Sequence, residues 1–164
     1  MSMSSKTTEN SYSYSYEVLF SKNHIKSSQI MEKIRLGKFN EILDGFIRVN
    51  DDGLVIEPKF LKQFANQHTY DLIVNYMDKL IIQLLKTPLE TFNMYINLQS
   101  LSLVDLEKNV IFFKNLTTFF SDRYPDKLNK CYIYNASIIF ETIFKMMKNF
   151  IDKETLAKLQ IVKE

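Results

Sequence analysis

The sequence predicts an α/β fold in which a small, mostly parallel β-sheet is flanked by helices. After residue 57, segments with the apolar period of a helix alternate with short segments that have the two-residue period of a strand. The segment KCYIYNA, residues 130–136, is almost continuously apolar, as is typical of a parallel strand covered on both faces. Alternating helices and strands are the pattern of layered α/β domains, so this class is the expectation.

Composition predicts one folded unit preceded by a tail. The 164 residues suffice for a single domain with a core, which we expect over residues 27–164. Residues 1–26 are rich in Ser, Thr and Asn, with tyrosines alternating with serines, so a disordered Ser/Tyr-rich tail is expected there. The net charge is +2 and the charges alternate in sign, which does not predict a nucleic-acid partner. Lysine (18) far exceeds arginine (3), a bias that fits an AT-rich genome such as that of a large DNA virus or a protist.

The domain is expected to begin with a short helical lead-in. Ser28 can cap a helix that runs to Leu36, and Gly37 is placed to end it. The segment FIRVNDDGLVIEP, residues 46–58, predicts a β-hairpin whose turn uses Gly53 for a positive φ. Pro58 suits the first turn of the following helix, because it lacks an N–H that would be unpaired there.

Two long helical segments flank a strand in the middle of the chain. Residues 59–86 carry a broad apolar stripe, which NQH at 66–68 should divide into two helices. Residues 91–103 read as a strand, because apolar side chains alternate with mostly polar ones from Phe92 to Gln99. Leu103 to Arg123 then resumes a helical pattern.

The last forty residues predict strand, helix, short helix and strand. Pro125 stops the preceding helix, and Asn135 ends the strand that contains Cys131. The helix from Ser137 to Asn149 has an apolar sector wider than one sheet contact usually covers. Either this helix is enclosed in the core, or its second face lines an apolar ligand cavity or touches a membrane. A short helix from Asp152 and the strand LQIV, residues 159–162, should follow.

No catalytic or metal-binding pattern stands out in the sequence. No cluster of Cys or carboxylate residues lies near His24 or His68 at metal-ligand spacing, so no metal site is expected. The three glycines form no phosphate-binding loop and no serine lies in a nucleophile-elbow motif, so neither a cofactor nor an enzyme is expected. Cys131 lies inside an apolar strand and should be a buried, inert thiol in a reducing compartment.

Four segments near the end of the chain carry a family resemblance. In order they are YPDKL (124–128), YIYNA (132–136), KNFID (148–152) and TLAKL (155–159). Together they resemble the CRAL-TRIO lipid-binding domain, in which Tyr-Pro-Glu-Arg-Leu, Ile-Ile-Asn-Ala-Pro, Lys-Pro-Phe-Leu-Asp and Thr-x-x-Lys-Ile occur in this order. The likeness is good over 124–162, looser over 90–123 and faint before residue 90. It implies a CRAL-TRIO-like sandwich, shortened at its C-terminal end because the chain stops at Glu164.

The resemblance also implies a binding site. The positions that meet a phosphoinositide headgroup in the family correspond here to Asp126, Thr155 and Lys158. The family's gate helix corresponds to residues 138–150. It implies an apolar pocket or gate built from Phe92, Met94, Ile139, Phe140, Ile143, Phe144, Met147 and Phe150. The small hydroxylic pair that holds phosphocholine in the family falls at Phe92 and Met94, which argues against choline-lipid binding at that place.

The function expected from these observations is non-catalytic binding of a lipid or other amphipathic ligand, with a phosphoinositide as one candidate. The partners would be that ligand and, transiently, a membrane surface, for a cytoplasmic protein that works at the membrane periphery. The alternative is a protein–protein interaction module that keeps the fold without a working pocket, with a second copy or another protein as its partner. The longest apolar run, LIVNYMDKLIIQLL at 72–85, contains Asp78 and Lys79 and is shorter than a membrane span of ~18 residues.

Overall fold

The structure is a computed structural model that describes residues 14–20, 27–58, 61–99, 101–136, 139–149 and 151–163. The helices and strands, in chain order, are α1 (Tyr16–Phe20), α2 (Ser27–Arg35), α3 (Phe39–Phe46), β1 (Ile47–Val49), β2 (Gly53–Ile56), α4 (Leu61–Phe64), α5 (Tyr70–Leu85), β3 (Phe92–Asn97), α6 (Leu103–Lys108), α7 (Val110–Arg123), β4 (Leu128–Tyr134), α8 (Ile139–Met147), α9 (Lys153–Leu156) and β5 (Leu159–Ile161).

The strands form one sheet in the order β1-β2-β3-β4-β5. The β1–β2 pair is an antiparallel hairpin, and each later strand is parallel to the one before it. Parallel neighbours require crossover connections, and helices supply them between β2 and β3, β3 and β4, and β4 and β5. The predicted α/β class with a mostly parallel sheet flanked by helices is confirmed.

The predicted hairpin is present, but the role predicted for Gly53 is wrong. Its turn is built by Asn50, whose Oδ1 accepts hydrogen bonds from the backbone N–H of Asp52 (3.2 Å) and of Gly53 (2.8 Å). Gly37, which follows α2, is the described glycine with a positive φ, at 71°. Gly53 instead permits close strand approach, because a Cβ there would lie 2.0 Å from the carbonyl oxygen of Asn93 on β3.

Helix α3 between the lead-in and the hairpin was not predicted. Its side chains Ile42, Leu43 and Phe46 are buried, at the spacing of one helix face. Phe46, which the sequence pattern assigns to the hairpin, is the last residue of this helix. The missed segment is short, and its apolar residues merge with those of the strand that follows.

The two longer helical segments are each interrupted. The predicted break at 66–68 is confirmed, because α4 ends at Phe64 and α5 begins at Tyr70. The segment predicted as one helix over 103–123 is divided at Asn109, whose side-chain Nδ2 donates to the carbonyl oxygen of Asp105 over 2.7 Å. A capping box formed by Ser102 and Asp105 starts the first of these two helices.

Part of the predicted tail is ordered. Residues 14–20 include α1, in which Leu19 and Phe20 are buried against the sheet. Disorder was expected because tyrosines and serines alternate there, but the aromatic rings pack on other tyrosines rather than entering the main core. Residues 1–13 and 21–26, the rest of that prediction, lie outside the described residues.

Candidate functional site

A cavity of about 360 Å³ lies between one face of the sheet and the helices α7 and α8. This volume falls at the lower end of the ~300–1,000 Å³ typical of small-molecule pockets. Its wall is mostly apolar and comes from the sheet, from α5 and α7, and from α8. The principal lining residues are Phe92, Met94, Ile96, Cys131, Ile133, Phe112, Leu116, Phe120, Phe140, Phe144 and Met147.

Most of the predicted pocket residues surround this cavity. Phe92 and Met94 reach it from β3, and Phe140, Phe144 and Met147 reach it from α8. Phe150, and the side chains of Ile139 and Ile143, lie outside the described residues. The contribution of α7 was missed: its periodicity indicates a buried face, but periodicity alone does not distinguish core packing from a cavity wall.

The alternation of strand side chains explains why the wall is apolar. On β3, Phe92, Met94 and Ile96 point into the cavity, while Asn93 and Tyr95 point to the other face of the sheet. A register shift between β3 and β4 pairs Phe92 with Leu128 and Met94 with Cys131. Both β4 residues therefore line the cavity, although they are three positions apart and regular alternation would place them on opposite faces.

The three predicted headgroup residues, Asp126, Thr155 and Lys158, border the same cavity. Asp126 is exposed, Thr155 is half-buried, and the Lys158 side chain is 22% exposed. They come from two separate places in the chain, the turn before β4 and the turn before β5. Strand pairing brings the two places together, because the backbone N–H of Cys131 on β4 donates to the carbonyl oxygen of Lys158 over 2.9 Å.

Asp126 occupies an unusual backbone conformation. Its φ is 62°, in the left-handed region that Asp and Asn tolerate better than most residues. The turn is held at both ends, because Lys127 N–H donates to the Tyr124 carbonyl (3.2 Å) and the Lys127 carbonyl accepts from Phe92 N–H (2.9 Å). Together these bonds fix the backbone that carries Asp126 at the cavity edge.

The end of α7 next to this turn is anchored to α5. The guanidinium Nε of Arg123 lies 2.7 Å from Asp78 Oδ1, and the Tyr124 hydroxyl donates to the same carboxylate. Burial, followed by the hydrogen bond to Asp78, raises the pKa of Tyr124. This anchor holds the Tyr-Pro-Asp turn in place.

The second turn is organised by Asp152. Its Oδ1 accepts the backbone N–H of Thr155 over 2.6 Å and caps α9. Hydrogen bonds from the backbone and side chain of Thr155 hold the pKa of Asp152 below its usual range, with a smaller contribution from the charge of Lys158. The motif from Asp152 to Lys158 is therefore a capped turn that sets two polar side chains at the cavity.

The polar end of the cavity carries more negative than positive charge. Among the described residues there, Asp126, Asp152 and Glu154 face a single ammonium group, that of Lys158. Lys158 Nζ lies 4.0 Å from Glu154 Oε1, at the limit of an ion pair. Since Glu154 is 70% exposed, this pair leaves the ammonium group available to another anion.

The described part of the chain contains no group of three or more His, Cys, Asp or Glu side chains able to hold a metal ion. Cys131 is buried on the cavity wall, and burial raises the pKa of its thiol to about 12, so the unreactive protonated form persists. None of the described helices has both the length and the apolar character needed to cross a bilayer.

An apolar cavity under a helix, closed at one end by polar turns, is an architecture that fits an amphipathic ligand. The model of the CRAL/TRIO domain family matches residues 54–164, well over half of this chain. The chain therefore belongs to the CRAL/TRIO domain family, as the four segments predict.

Individual relatives are distant. A SEC14 cytosolic factor of Yarrowia lipolytica is 29% identical over 73 residues, which is 44% of this chain and 15% of that protein. The phosphatidylinositol transfer protein CSR1 of Eremothecium gossypii is 27% identical over 139 residues, which is 82% of this chain and 30% of that protein. A CRAL-TRIO domain-containing protein of Saccharomyces cerevisiae is 25% identical over 109 residues, 66% of this chain and 34% of that protein. The chain thus spans about a third or less of these relatives.

Among solved structures, the crystal structure of Sfh5 superposes with a TM-score of 0.59 and 17% identity, covering 71% of this chain and 46% of that chain. At this identity the likeness establishes the fold alone. It agrees with the mixed α/β layers described above.

Proposed function

We propose that this chain binds a lipid or another amphipathic molecule without catalysing a reaction, with the apolar part of the ligand in the cavity under α8. The observation that carries the proposal is the composition of one cavity, in which an apolar wall ends at Asp126, Thr155 and Lys158. An apolar ligand placed against this wall removes apolar surface from water, which is favourable. Each buried methylene contributes ~0.8 kcal/mol.

The polar end is suited to a headgroup that carries both a phosphate and hydroxyl groups. The ammonium of Lys158 and the hydroxyl of Thr155 can donate to phosphate oxygens, while the carboxylate of Asp126 accepts hydrogen bonds from ligand hydroxyls. A phosphoinositide has both kinds of group. The name of the relative CSR1, a phosphatidylinositol transfer protein, supports the same candidate.

The test is native mass spectrometry of the gently purified chain, followed by transfer of fluorescent phosphatidylinositol from donor to acceptor liposomes. The decisive variant is Leu116→Trp, which places an indole in the cavity from α7. Its control is Ile111→Trp on the same helix, where the side chain is 66% exposed. We expect Leu116→Trp to lower lipid occupancy at least ~10-fold, equivalent to ~1.4 kcal/mol, and Ile111→Trp to leave it unchanged.

A bare wild-type chain that also transfers no lipid would overturn the proposal. Equal loss of lipid occupancy in both tryptophan variants would mean that the cavity is not the lipid-binding site, because Ile111 does not line it.

A second candidate, the interaction module, is favoured by the sheet edge at β5. Among the described strands β5 lies at the edge of the sheet, and its Ile161 is 42% exposed. A strand edge is a surface on which another chain can add a strand. Light scattering on the same samples separates the two functions: a lipid-free, stable dimer supports the module, and a lipid-loaded monomer supports the binding protein.

A further inference from the structure

The face of the sheet away from the cavity is built from tyrosines and covered by the chain's own N-terminal segment. We call Val55, Tyr95, Tyr132 and Tyr134 the tyrosine face, and residues 14–20 the cover. In the cover, Leu19 is 4% exposed and Phe20 is 5% exposed, and both pack on the tyrosine face. Tyr14 meets Tyr95 edge-on with ring centroids 5.5 Å apart, and Phe20 meets Tyr134 in the same way at 5.2 Å.

Polar contacts hold the cover at both ends. The Tyr134 hydroxyl donates to the carbonyl oxygen of Tyr14 over 2.5 Å, and Arg48 Nη2 donates to the carbonyl oxygen of Leu19 over 2.7 Å. The Tyr16 hydroxyl donates to Gln99 Oε1 over 2.8 Å and accepts from Asn97 Nδ2 over 3.3 Å. Each bond joins residues far apart in sequence, so all of them break together if the cover leaves.

The cover depends on these contacts for its structure. Its helix α1 has 5 residues, and a helix of that length is not stable alone in water. The burial of Leu19 and Phe20, together with the ring contacts and hydrogen bonds, must offset the conformational entropy lost by ordering seven residues. A segment of this kind is expected to open locally while the sheet stays folded.

We propose that residues 14–20 are a displaceable cover of the tyrosine face, and that phosphorylation of Tyr16 releases it. Tyr16 is half-buried, and its hydroxyl is hydrogen-bonded to the side chains of Asn97 and Gln99. This inference does not depend on the proposed lipid binding, because the cover and the cavity lie on opposite faces of the sheet.

The chemistry is that of a tyrosine kinase acting on the undocked segment. The Tyr16 oxygen forms a bond to the γ-phosphorus of ATP, the bond from that phosphorus to the β–γ bridging oxygen breaks, and the hydroxyl proton passes to a base. The products are phosphotyrosine and ADP. The hydrogen formerly donated to Gln99 Oε1 is lost, and a charge of about −2 is placed beside that oxygen and one residue from Glu17.

Arg48 contacts the cover at Leu19, three residues from Tyr16. Its Nη2 lies 2.9 Å from Glu57 Oε2 and donates to the carbonyl oxygen of Leu19, while its Nη1 is buried without a hydrogen-bond partner. The Tyr16 hydroxyl itself contacts the amide groups of Asn97 and Gln99, so phosphorylation removes one hydrogen bond there and adds desolvation and repulsion.

Hydrogen exchange of the full-length chain tests the proposal. Amides of residues 17–20 are protected only while α1 is docked; the Leu19 N–H, for example, donates to the Ser15 carbonyl over 3.3 Å. The samples are the unmodified chain, the chain with phosphotyrosine installed at 16 during translation, Tyr16→Glu and Tyr16→Phe. Val18→Glu is the matched control. It adds the same charge as Tyr16→Glu to the same helix, at a position where the side chain is 58% exposed.

We expect exchange at 17–20 to accelerate at least ~10-fold on phosphorylation, less in Tyr16→Glu, and no more than ~2-fold in Val18→Glu. If the amides of residues 17–20 are unprotected in the unmodified chain, the segment is not a docked cover. If they are equally protected after phosphorylation, phosphorylation does not release it. Amides of β3 serve as the internal reference. If exchange in β3 also accelerates, the three samples Tyr16→Phe, Tyr16→Glu and phosphotyrosine are compared in that order. Release of the cover requires exchange at residues 17–20 to accelerate in an earlier sample of this series than exchange in β3. Acceleration of both in the same sample would overturn the release.

Discussion

The two faces of the sheet are made by the same strands yet differ in how their space is filled. On β3 and β4, Met94 and Ile133 face a cavity closed by helices, while Tyr95 and Tyr134 face a thin layer made by residues 14–20. The tyrosine side is closed by stacked rings and bonded hydroxyls, such as that of Tyr95, which donates to Asp52 Oδ1 over 2.8 Å. The wall of the other side is mostly apolar, with the polar groups of Asp126, Thr155 and Lys158 at one end, and it retains empty space.

Packing and binding capacity are therefore divided between the two faces of the sheet. Filled, hydrogen-bonded packing stabilises the sheet, since truncation there leaves cavities and unpaired polar groups. Loosely filled apolar space contributes less to stability and can accept a ligand.

Tyr134→Ala should be the most damaging of these changes. Tyr134 is 1% exposed, packs on Phe20 and donates to the Tyr14 carbonyl. We expect the free energy of unfolding to fall by ~3–5 kcal/mol, measured by urea denaturation. Phe140→Ala on the cavity side is the counterpart. Because Phe140 is only half-buried, this substitution should lower the free energy of unfolding clearly less. Equal losses of stability in the two variants would contradict this division between the faces.

Lys158→Glu should weaken binding of a phosphate-bearing lipid by at least ~1.5 kcal/mol, because it exchanges a charge-assisted donor for a repelling carboxylate. Lys145→Glu is the matched control, with the same change of charge at an exposed position on α8. Liposome co-sedimentation with phosphatidylinositol measures both. Unchanged binding in Lys158→Glu would remove this residue from the site.

Stability should fall between pH 9 and pH 10 because of Cys131 on the cavity wall. Its folded pKa of about 12 lies above the ordinary value of 9.0, so above pH 9 the unfolded chain releases a proton that the folded chain keeps. The stability from this thiol is complete below pH 9 and decreases with a slope approaching ~1.4 kcal/mol per pH unit.

Cys131→Ala provides the control for that measurement. Urea denaturation of this variant across the same interval should show a shallower slope, although its absolute stability is lower. A slope identical to that of the wild type would show that another group accounts for the pH dependence. The pKa of Tyr95 is raised first by burial and then by the hydrogen bond to Asp52. Because its ordinary pKa is 10.0, Tyr95 contributes to the pH dependence of stability only above pH 10.

Glu154→Gln should have the smallest effect on stability. The pair with Lys158 is 4.0 Å long and its carboxylate is 70% exposed, so the expected change is at most ~0.5 kcal/mol. Thermal unfolding at low salt and at 1 M salt would measure it. A loss above ~1 kcal/mol would mean that the polar end of the cavity is structural rather than available for a ligand.

Much of the fold could be predicted from the sequence by itself, because local chemistry determines it. The Asp-Asp-Gly turn at 51–53 marks the hairpin, Pro125 and Asn135 bound β4, and alternation from Phe92 assigns the two faces of β3. These features depend on neighbours within a few residues. The segments at 124–159 likewise identify the family without any knowledge of contacts.

Tertiary structure decided the rest. Only strand pairing brings the turn of Asp126 beside the turn of Lys158, through the bond between Cys131 and Lys158, and only packing makes α7 a cavity wall. The order of residues 14–20 was missed for the same reason. A stretch of alternating serine and tyrosine has too little apolar surface to order itself, and its burial exists only because β3 and β4 present tyrosines on their second face.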